Sequence, residues 1–407
     1  MKIAHVVRRL SFGDWGGTEQ VVWNLAKAQR AAGHVVRIFA TDALGGVGEE
    51  TRDGLEVRRF PCLYPWWPMP ERVKRQLDLK GGNPFVPGLG RTLREWGADV
   101  IHCHAMGRMA ELCIRTAEGT GAKSVASLHG GAAKVPEAEA RELRAPTRGR
   151  LPWGKAVEVA LGWRRRVPED ADGIVCVGED EAEYWKRLHG KVLWLPNGVD
   201  CGVFGKAADG IDRVDKSEKI DGRKVFRVLC VARIDRQKNQ MMLVEALGRH
   251  PRMVVRLVGP TTQPDYLEAL RDRARELGSE GRLEVAGALP PDSPELAAEF
   301  GRADAFVLPS RHEPFGIAVL EAWSAGVPVI AAKVGGLKYL VREGENGRFC
   351  DPADPSTIVA AVDAYRRNND MRQIAARARI EAQDNYSWKK ISGRLADFYR
   401  EVINGHR

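Results

Sequence analysis

The chain has 407 residues, of which 44% are hydrophobic and 29% are charged, and its formal net charge is +9 at pH 7. This length suits two domains of about 200 residues each. The charge is spread, since residues 1–200 hold 30 Lys and Arg against 25 Asp and Glu, and the remainder holds 33 against 29. A dedicated nucleic-acid face would concentrate basic residues, so the spread argues against one and weakly favours small anionic ligands or an anionic membrane surface.

Cysteine usage and the N-terminal sequence bear on the cellular compartment. The cysteines show no C-x-x-C spacing, and most lie in apolar runs: Cys62, Cys103, Cys113, Cys176, Cys201, Cys230 and Cys350. We interpret them as buried, reduced thiols of a cytoplasmic protein. The opening MKIAHVVRRL alternates like a strand and lacks the apolar segment of a signal peptide, and no run of 18 apolar residues occurs. We therefore predict neither export nor a membrane span.

Strand-like runs alternate with helix-like runs from the N-terminus onward, which is typical of a parallel sheet covered by helices on both faces. The first strand, KIAHVV, leads to a predicted helix over residues 18–32. Gly16 and Gly17 precede this helix and allow a ligand to approach the backbone closely, as in phosphate-binding loops. An ordinary glycine turn is the alternative. The G-x-G-x-x-G dinucleotide fingerprint is absent.

Two long segments of the first half do not fit plain connections. Residues 63–90 are rich in Pro, Trp and Arg. This composition predicts a segment that contacts an acceptor or a lipid interface, and a packed structural loop is the alternative. Residues 134–168 end in LPWGKAVEVALGWRRRVP, which predicts an amphipathic basic helix carrying Arg164 to Arg166. Such a helix lies on an anionic membrane or, more commonly, packs on its own domain.

Three histidines lie where predicted strands end: His102 and His104 in ADVIHCH, and His129 in SVASLHGG. Ligands of open α/β sheets bind beyond the carboxyl ends of strands. We expect His102 and His104 to point to opposite faces, and no Asp or Glu completes a cluster, so we interpret all three as polar lining of a cleft and predict no metal site. Asp170 and Asp172 precede a strand and are interpreted as turn residues.

The second half repeats the alternating pattern. Residues 206–224 are polar and strand-free, and we place the domain boundary there. The strand VFRVLCVA then leads through RIDRQKN to another helix. Arg233 and Lys238 would therefore lie beyond the carboxyl end of a strand, where a guanidinium and an ammonium group can bind a diphosphate.

The stretch RHEPFGIAVLEAWSAGVPVIA, residues 311–331, carries two glutamates eight positions apart. The preceding AFVLPS predicts a buried strand, and Pro314 and Gly316 predict a loop before a helix. Glu313 would lie in the loop and Glu321 in the helix, with the unpaired amides of the first turn between them forming an anion site. The alternative is that Glu313 caps the helix and that Glu321 is a solvated helix residue.

These motifs together resemble glycosyltransferase family 4, a family of retaining, nucleotide-sugar-dependent enzymes with the GT-B fold. GGTEQ, HCH, SLHGG, LPNGVD, ARIDRQK and EPFGIAVLE occur in the order seen in that family, across nearly the whole chain. The resemblance implies two Rossmann-like domains facing each other across a cleft. The acceptor domain would be residues 1–205 with the C-terminal helix 386–403 crossing back to it, and the donor domain would be residues 206–385.

The resemblance also implies roles for individual residues. Glu313 would contact the hydroxyls of the donor sugar, alongside the backbone amides of Phe315, Gly316 and Ile317. Glu321 would hold the nucleotide ribose, and Arg233 and Lys238 would bind the diphosphate. In the first domain, Gly16 and Gly17 would approach the diphosphate, and His129 would line the cleft beside the reacting sugar. The implied catalytic set is Glu313, His129, Arg233 and Lys238.

The implied reaction is hexose transfer, with retention, from a nucleoside diphosphate sugar to an acceptor hydroxyl in glycan, glycolipid or secondary-metabolite biosynthesis. A UDP-sugar is favoured and GDP-mannose comes next. Because cations and oriented amides can stabilise the leaving diphosphate, we expect no metal or other cofactor. The alternatives are a GT-B nucleotide-sugar epimerase and a non-catalytic nucleotide-sugar-binding subunit. We predict a cytoplasmic enzyme, with peripheral contact at the inner face of an anionic membrane left open, and the sequence indicates neither the acceptor nor an oligomeric state.

Overall fold

The structure is a computed structural model that describes residues 1–13, 16–79, 81–129, 145–163, 166–209, 219–220, 223–367 and 370–405. The chain divides into two compact units. Unit 1 comprises Met1–Pro196 and Ile391–Arg407, and unit 2 comprises Asn197–Lys390. Both are α/β, as predicted.

Unit 1 is built on an eight-stranded sheet of order β10-β9-β7-β6-β1-β2-β4-β3, in which only β3 runs antiparallel to its neighbour. A separate antiparallel pair joins β5 to β8. The strands are β1 Lys2–Arg9, β2 Val35–Thr41, β3 Gly48–Arg52, β4 Leu55–Phe60, β5 Trp66–Trp67, β6 Val100–Cys103, β7 Lys123–Leu128, β8 Leu151–Pro152, β9 Gly173–Cys176 and β10 Val192–Trp194. The helices are α1 Gly17–Ala31, α2 Glu71–Leu79, α3 Leu89–Trp96, α4 Arg108–Glu118, α5 Gly154–Ala160, α6 Val167–Asp170 and α7 Glu179–Lys186, with a 3₁₀ turn at Ala145–Thr147.

Unit 2 is built on a six-stranded parallel sheet of order β15-β14-β13-β16-β17-β18. The strands are β11 Lys219–Ile220 and β12 Arg223–Lys224, which form a short antiparallel pair, then β13 Phe226–Val231, β14 Met253–Val258, β15 Leu283–Gly287, β16 Ala305–Leu308, β17 Val329–Ala332 and β18 Arg348–Cys350. The helices are α8 Cys201–Asp209, α9 Met241–Arg249, α10 Pro264–Glu276, α11 Pro294–Arg302, α12 Ile317–Ser324, α13 Leu337–Leu340, α14 Pro355–Arg367 and α15 Asp370–Asn385, with a 3₁₀ turn at Glu280–Arg282.

The last helix, α16 Trp388–Asn404, begins in unit 2 and ends in unit 1. Its apolar residues recur at helical spacing and are buried: Trp388, Ile391, Leu395, Phe398 and Val402. In unit 1, Phe398 and Val402 pack on Gly173 of β9, where an added Cβ would lie 3.0 Å from each side chain.

The compact units divide at Pro196, upstream of the polar stretch that the sequence analysis used as the boundary. Val199 explains the difference, because its backbone pairs with the chain just before α16. Its amide donates a 2.8 Å hydrogen bond to the Tyr386 carbonyl, and its carbonyl accepts one of 3.3 Å from the Trp388 amide. These bonds place residues 197–205 in unit 2.

Each sheet has an apolar core typical of buried parallel strands. In unit 2 this core runs from Val228 of β13 through Leu243 of α9 to Val362 of α14, all fully or almost fully buried. All seven cysteines are free thiols, and Cys201 is the one that is not fully buried. Within the described residues, no helix combines the length and the apolar composition needed to cross a membrane.

Candidate active site

The loop that joins β13 to α9 is held together by the carboxylate of Asp235, which is 5% exposed. Asp235 Oδ2 lies 3.3 Å from Arg233 Nη2, and Asp235 Oδ1 accepts a 3.0 Å hydrogen bond from the Lys238 amide. The Gln240 side chain donates a 2.8 Å hydrogen bond to the Arg233 carbonyl. An aspartate that accepts from an amide three residues on stabilises a turn locally. This turn therefore fixes both basic residues that the sequence analysis assigned to the diphosphate.

Asn239 joins this loop to the rest of unit 2. Its φ is +59°, a left-handed conformation in which asparagine is enriched among non-glycine residues. It is 3% exposed, and its Nδ2 donates hydrogen bonds to the carbonyls of Pro309, at 3.1 Å, and Pro352, at 3.0 Å. Because Pro309 directly follows β16, Asn239 sets the position of the Lys238 loop relative to the loop that carries Glu313.

Lys238 and Glu313 form an ion pair at the carboxyl ends of β13 and β16. The distance from Lys238 Nζ to Glu313 Oε2 is 2.7 Å, and the two side chains are only 14% and 11% exposed. Ser310 Oγ donates a further hydrogen bond of 3.3 Å to the same carboxylate oxygen. Removing one partner of such a pair leaves the other charge poorly solvated. The pair therefore presents a cation and a hydrogen-bond acceptor at one fixed point.

The predicted strand and helix around Glu313 are confirmed by β16 and α12. Gly316, directly before α12, has φ +100°, and a Cβ atom there would lie 2.5 Å from the Leu337 side chain. Ile317 opens the helix, whose first-turn amides have no acceptor within the helix and carry partial positive charge. Phe315 is 7% exposed and Glu321 is 5% exposed, so Glu321 is not the solvated helix residue of the alternative interpretation.

Two further glycines, Gly335 and Gly336, lie against the backbone of the Glu313 loop. A Cβ atom at Gly335 would lie 2.1 Å from the Glu313 carbonyl oxygen, and one at Gly336 would lie 2.3 Å from the Pro314 carbonyl oxygen. The Gly336 amide also donates a 2.9 Å hydrogen bond to the Glu313 carbonyl. Only residues without a side chain allow this approach, so the pair holds the backbone of Glu313 in place.

In unit 1, Gly16 is extended, with φ −109° and ψ 172°, and directly precedes α1. A Cβ atom at Gly16 would lie 2.4 Å from Glu19 Oε2, whereas Gly17 faces open space. Glu19 is paired with Arg9 of β1, with 2.5 Å between Arg9 Nε and Glu19 Oε1. A carboxylate already lies at this helix start, so diphosphate binding by Gly16 and Gly17 stays a prediction. Residues 14 and 15, which directly precede Gly16, lie outside the described residues.

The expectation that His102 and His104 point to opposite faces is wrong. Their ring centroids are 4.0 Å apart, because residues two apart along a strand share one face. His5 of the neighbouring strand β1 joins them, with His5 Nδ1 2.9 Å from His104 Nε2. His129, directly after β7, is 3.0 Å away, measured from its Nε2 to His104 Nδ1. Unit 1 therefore contains a cluster of four imidazoles.

Three of these rings offer nitrogens close enough together for a metal ion. Ligand atoms of His5, His102 and His104 lie within 4.8 Å of one another, and imidazole nitrogens are good ligands for zinc. However, both nitrogens of His102 are hydrogen-bonded within unit 1, Nδ1 to the Tyr399 hydroxyl at 2.5 Å and Nε2 to Ser127 Oγ at 2.7 Å. A metal ion would have to break such bonds, so hydrogen bonding accounts for the cluster.

Burial keeps the cluster uncharged at neutral pH. It lowers the pKa of His5 to about 4, against the opposing effect of a hydrogen bond with Gln29. Burial also lowers the pKa of His129 to about 4, and it lowers the pKa values of His102 and His104 well below their ordinary value, with the neighbouring histidines adding to the shift. The cluster is thus a neutral hydrogen-bonding site, unlike the ion pair of unit 2.

The two long segments of the first half, residues 63–90 and 134–168, contact each other in unit 1. Trp66 and Trp67 of β5 pair with Pro152 and Leu151 of β8. The same two segments also supply Phe85 and Trp153, which stack with ring centroids 5.6 Å apart.

The same region contains a buried ion pair between Arg108 and Glu158 of α5, at 2.5 Å, with both side chains 5% exposed. The predicted basic helix is shorter than expected, because α5 ends at Ala160 and Gly162 has φ +66°. Arg164 and Arg165 of that prediction, and residues 134–144, lie outside the described residues.

A cavity of about 220 Å³ lies in unit 2 beside Arg227 of β13, Arg256 of β14 and Glu299 of α11. Arg256 is paired there with Glu299, and the predicted donor-binding residues are not among those that line it. It is therefore distinct from the Lys238–Glu313 site.

Comparison with known proteins decides the family. Residues 15–203 match the family described as Glycosyltransferase Family 4, and residues 212–381 match the one described as Glycosyl transferases group 1. The D-inositol 3-phosphate glycosyltransferase of Acidothermus cellulolyticus is 30% identical to the chain over 97% of the chain and 88% of that protein. The chain belongs to glycosyltransferase family 4.

Two other comparisons extend this assignment. The GDP-mannose-dependent alpha-(1-6)-phosphatidylinositol monomannoside mannosyltransferase of Mycolicibacterium smegmatis is 31% identical to this family 4 glycosyltransferase, over 66% of the chain and 72% of that protein. The solved structure of Anabaena Alr3699/HepE in complex with UDP and glucose superposes with a TM-score of 0.69 at 20% identity, covering 98% of each chain. The fold is therefore GT-B, and the enzyme is a glycosyltransferase that uses a nucleotide sugar.

Within this family 4 glycosyltransferase, the predicted residues fall into two groups. Unit 2 brings together Arg233, Lys238, Glu313, Phe315, Gly316, Ile317 and Glu321 at the loops around β13, β16 and α12, whereas Gly16, Gly17 and His129 belong to unit 1.

Several residues that shape these sites were missed at the sequence level. Asp235 and Asn239 lie inside the quoted loop RIDRQKN, and Gly335 and Gly336 form a visible pair after β17. His5 lies mid-strand in KIAHVV, where a single polar residue in an apolar run was the available signal.

Proposed function

We propose that this enzyme transfers a hexose from a UDP-sugar, with GDP-mannose as the second candidate donor, to an acceptor hydroxyl with retention of anomeric configuration. The observation that carries the proposal is the Lys238–Glu313 ion pair beside the start of α12. It combines a cation for a leaving diphosphate with a carboxylate for sugar hydroxyls. Both donor bases occur among the similar proteins, as GDP-mannose in one relative's name and as UDP in one solved complex.

Charge development explains the proposed roles of the basic residues. Breaking the bond between sugar and phosphate places negative charge on the leaving diphosphate. Lys238 Nζ, held by Glu313, and the Arg233 guanidinium, paired with Asp235, stabilise that charge together with the amides of Gly316 and Ile317. These groups do the work without a divalent cation, so full activity in the presence of a chelator is expected. A need for added Mg²⁺ or Mn²⁺ would contradict this part of the proposal.

Retention follows if the acceptor hydroxyl attacks on the face from which the diphosphate leaves. The hydroxyl oxygen forms the new bond to the anomeric carbon, the bond to the phosphate oxygen breaks, and that phosphate oxygen takes the hydroxyl proton. Glu313 accepts hydrogen bonds from the donor sugar, because Lys238 and Ser310 hold its carboxylate in place. Proton NMR of the product formed from an α-linked donor tests this step, and a β-linked product would overturn it.

A thermal-shift panel separates the candidate donors. A ligand that binds only the folded state raises the unfolding midpoint by mass action. UDP and UDP-hexoses are expected to give the largest shifts, followed by GDP and GDP-mannose. A larger shift with guanosine nucleotides would reverse the assignment of the base.

Two other activities are separated from transfer by simple assays. An epimerase would convert a nucleotide sugar without any acceptor, whereas a transferase needs one. A non-catalytic subunit would bind nucleotide without turnover over a broad acceptor panel. The names of the similar proteins, a glycosyltransferase and a mannosyltransferase, favour transfer.

We also propose that the β5–β8 region of unit 1 contacts an anionic membrane and thereby brings the enzyme to a lipid-linked acceptor. Four apolar side chains there are more than half exposed: Trp67, Leu151, Val159 and Leu161. Exposed basic residues surround them on the same segments, namely Arg148, Lys155 and Arg166. Apolar insertion next to cationic groups is the pattern of interfacial binding to anionic lipid.

Liposome co-sedimentation tests this contact. Wild-type protein is expected to sediment with vesicles that contain anionic lipid, and a Trp67→Ser, Leu151→Ser double variant is expected to stay in solution. Val35→Ser is the matched control, because Val35 is 59% exposed but lies on β2 of unit 1, outside this region. Equal sedimentation of all three proteins would remove the proposed contact.

A further inference from the structure

Four side chains of unit 1 form a continuous series of hydrogen bonds from the interior to His129. Gln29 Oε1 lies 2.7 Å from His5 Nε2, His5 Nδ1 lies 2.9 Å from His104 Nε2, and His104 Nδ1 lies 3.0 Å from His129 Nε2. The series starts on α1, crosses β1 and the end of β6, and finishes directly after β7. Gln29 and His5 are fully buried, and His129 is partly exposed.

Each bond in the series constrains the next, because a neutral imidazole has one N–H donor and one nitrogen acceptor. Burial holds His5, His104 and His129 in this neutral form at pH 7. If one ring donates through one nitrogen, it must accept through the other. The direction chosen at one end of the series is therefore imposed on every ring.

The side-chain amide of Gln29 chooses that direction. Its oxygen, Oε1, lies 2.7 Å from His5 Nε2. An amide oxygen can only accept, so His5 must donate through Nε2.

We propose that Gln29, His5 and His104 are positioning residues that lock His129 as the Nε2–H tautomer and leave its Nδ1 as a hydrogen-bond acceptor for a substrate hydroxyl. His5 donates through Nε2 to Gln29, His104 donates through Nε2 to His5, and His129 donates through Nε2 to His104. Among the described residues, the hydrogen bond to His104 is the one that His129 makes. The lone pair on Nδ1 is then available to the ligand.

The locked tautomer has a consequence for the substrate class, and this part rests on the proposed function. A neutral acceptor nitrogen pairs with a hydroxyl, which can donate, and gives no attraction to a carboxylate or a phosphate. His129 therefore favours an uncharged sugar over a uronate at this position. A donor or acceptor sugar that carries a carboxylate at the contacted carbon is expected to be a poorer substrate by about tenfold or more, the scale on which a site rejects an analogue that leaves its buried polar group unpaired.

Nitrogen-15 NMR of histidine-labelled, full-length protein tests the tautomer without any assay of activity. The His129 signals are identified by their loss in His129→Gln. The expected wild-type pattern is a protonated Nε2 and an unprotonated Nδ1 at His129, unchanged by a chelator. A protonated Nδ1 would overturn the proposal, as would a pattern that a chelator abolishes, because a bound cation would then set the tautomer.

Two substitutions at Gln29 test whether this residue sets the direction of hydrogen bonding in the series. Gln29→Glu keeps an acceptor against His5 and is expected to keep the Nε2–H tautomer of His129. Gln29→Leu removes the acceptor, and both tautomers of His129 should then appear, with a roughly tenfold lower kcat/KM. The same tautomer in Gln29→Leu as in wild type would overturn the proposal.

The two proposals fail in different ways. Absence of turnover with every nucleotide sugar, together with the expected tautomer, would count against the proposed function alone. Active sugar transfer with His129 protonated on Nδ1 would count against the tautomer proposal alone. The NMR measurement on wild-type protein does not depend on how the Gln29 variants fold.

Discussion

The two units stabilise their buried polar side chains in different ways. Unit 1 buries a series of neutral imidazoles whose nitrogens are paired with one another, with Gln29, Ser127 and Tyr399. Unit 2 keeps an ion pair, Lys238 with Glu313, at the edge of its sheet where each side chain retains some exposure. Desolvation explains the contrast, because it is modest for a hydrogen-bonded neutral ring and severe for a buried charge.

The two sites therefore depend on different properties of their side chains. Neutral rings in series transmit a direction of hydrogen bonding, and they lose it if a proton is added. An ion pair provides charge, and it loses its function if either partner is neutralised. Each of the following changes, given from the largest expected effect to the smallest, alters one of these properties.

Acidification should destabilise unit 1 through its buried histidines. The pKa of His5 is lowered from an ordinary 6.5 to about 4, and those of His102 and His104 are also well below 6.5. The unfolded chain therefore binds more protons than the folded one, so this stability is complete above pH 6.5 and is lost as the pH falls toward 4. The loss at pH 5 is about 2 kcal/mol each for His5 and His129, whose pKa values are about 4, and the lowered pKa values of His102 and His104 add to it.

Urea unfolding between pH 7.5 and 5 measures this effect. The slope of the unfolding free energy against pH should correspond to a net uptake of protons on unfolding near pH 5. His5→Gln should reduce that uptake by about one proton. An unchanged slope in His5→Gln would show that His5 is not the group that titrates on unfolding.

Replacing the cation of unit 2 should act on turnover. Lys238→Met roughly keeps the length of the side chain but removes its charge. It should lower kcat/KM by about 10²- to 10³-fold, the effect of losing one preorganised electrostatic group. Lys186→Met is the matched control. Lys186 also lies 2.7 Å from a glutamate, Glu183, but both side chains are about half exposed.

The double variant Lys238→Met, Glu313→Gln separates charge from folding. It should recover the stability that Lys238→Met loses by stranding a poorly solvated carboxylate, but it should recover no activity. Near-normal turnover in Lys238→Met would remove Lys238 from the diphosphate site.

Backbone support of Glu313 can be tested with a pair of glycines. Gly335→Ala places a Cβ atom 2.1 Å from the Glu313 carbonyl oxygen, whereas Gly344→Ala meets no atom within 4 Å at φ +74°. Both alanines pay the cost of a left-handed conformation, about 1 kcal/mol. Gly335→Ala should in addition lower kcat/KM at least tenfold because the Glu313 loop must shift. Equal kinetics in the two variants would mean that the contact does not position Glu313.

The smallest effect is expected at Asn239. Asn239→Gly keeps the left-handed conformation but removes the two hydrogen bonds from Nδ2 to Pro309 and Pro352. The free energy of unfolding should fall by about 1–2 kcal/mol, measured in urea at pH 7.5. Asn239→Ala should cost more, because it adds backbone strain to the same loss. A reversed order would show that backbone conformation, and not hydrogen bonding, dominates at this position.

Local pattern was enough to predict the strand, loop and helix around Glu313. The apolar run before Glu313 and the Pro and Gly after it predicted β16, the loop and α12. The prediction that Arg233 and Lys238 bind a diphosphate followed from their positions after a strand. These features depend on neighbours in sequence, which a single chain displays directly.

Contacts between distant residues were decided only by the tertiary structure. The sequence placed His102 and His104 near a strand end, but the meeting with His5, 97 positions away from His102, depends on β1 lying beside β6. The pairing of Lys238 with Glu313 spans 75 positions and depends on β13 lying beside β16. Strand order is set by packing of the whole sheet, and so the sequence indicated which groups were available while the folded units determined which of them touch.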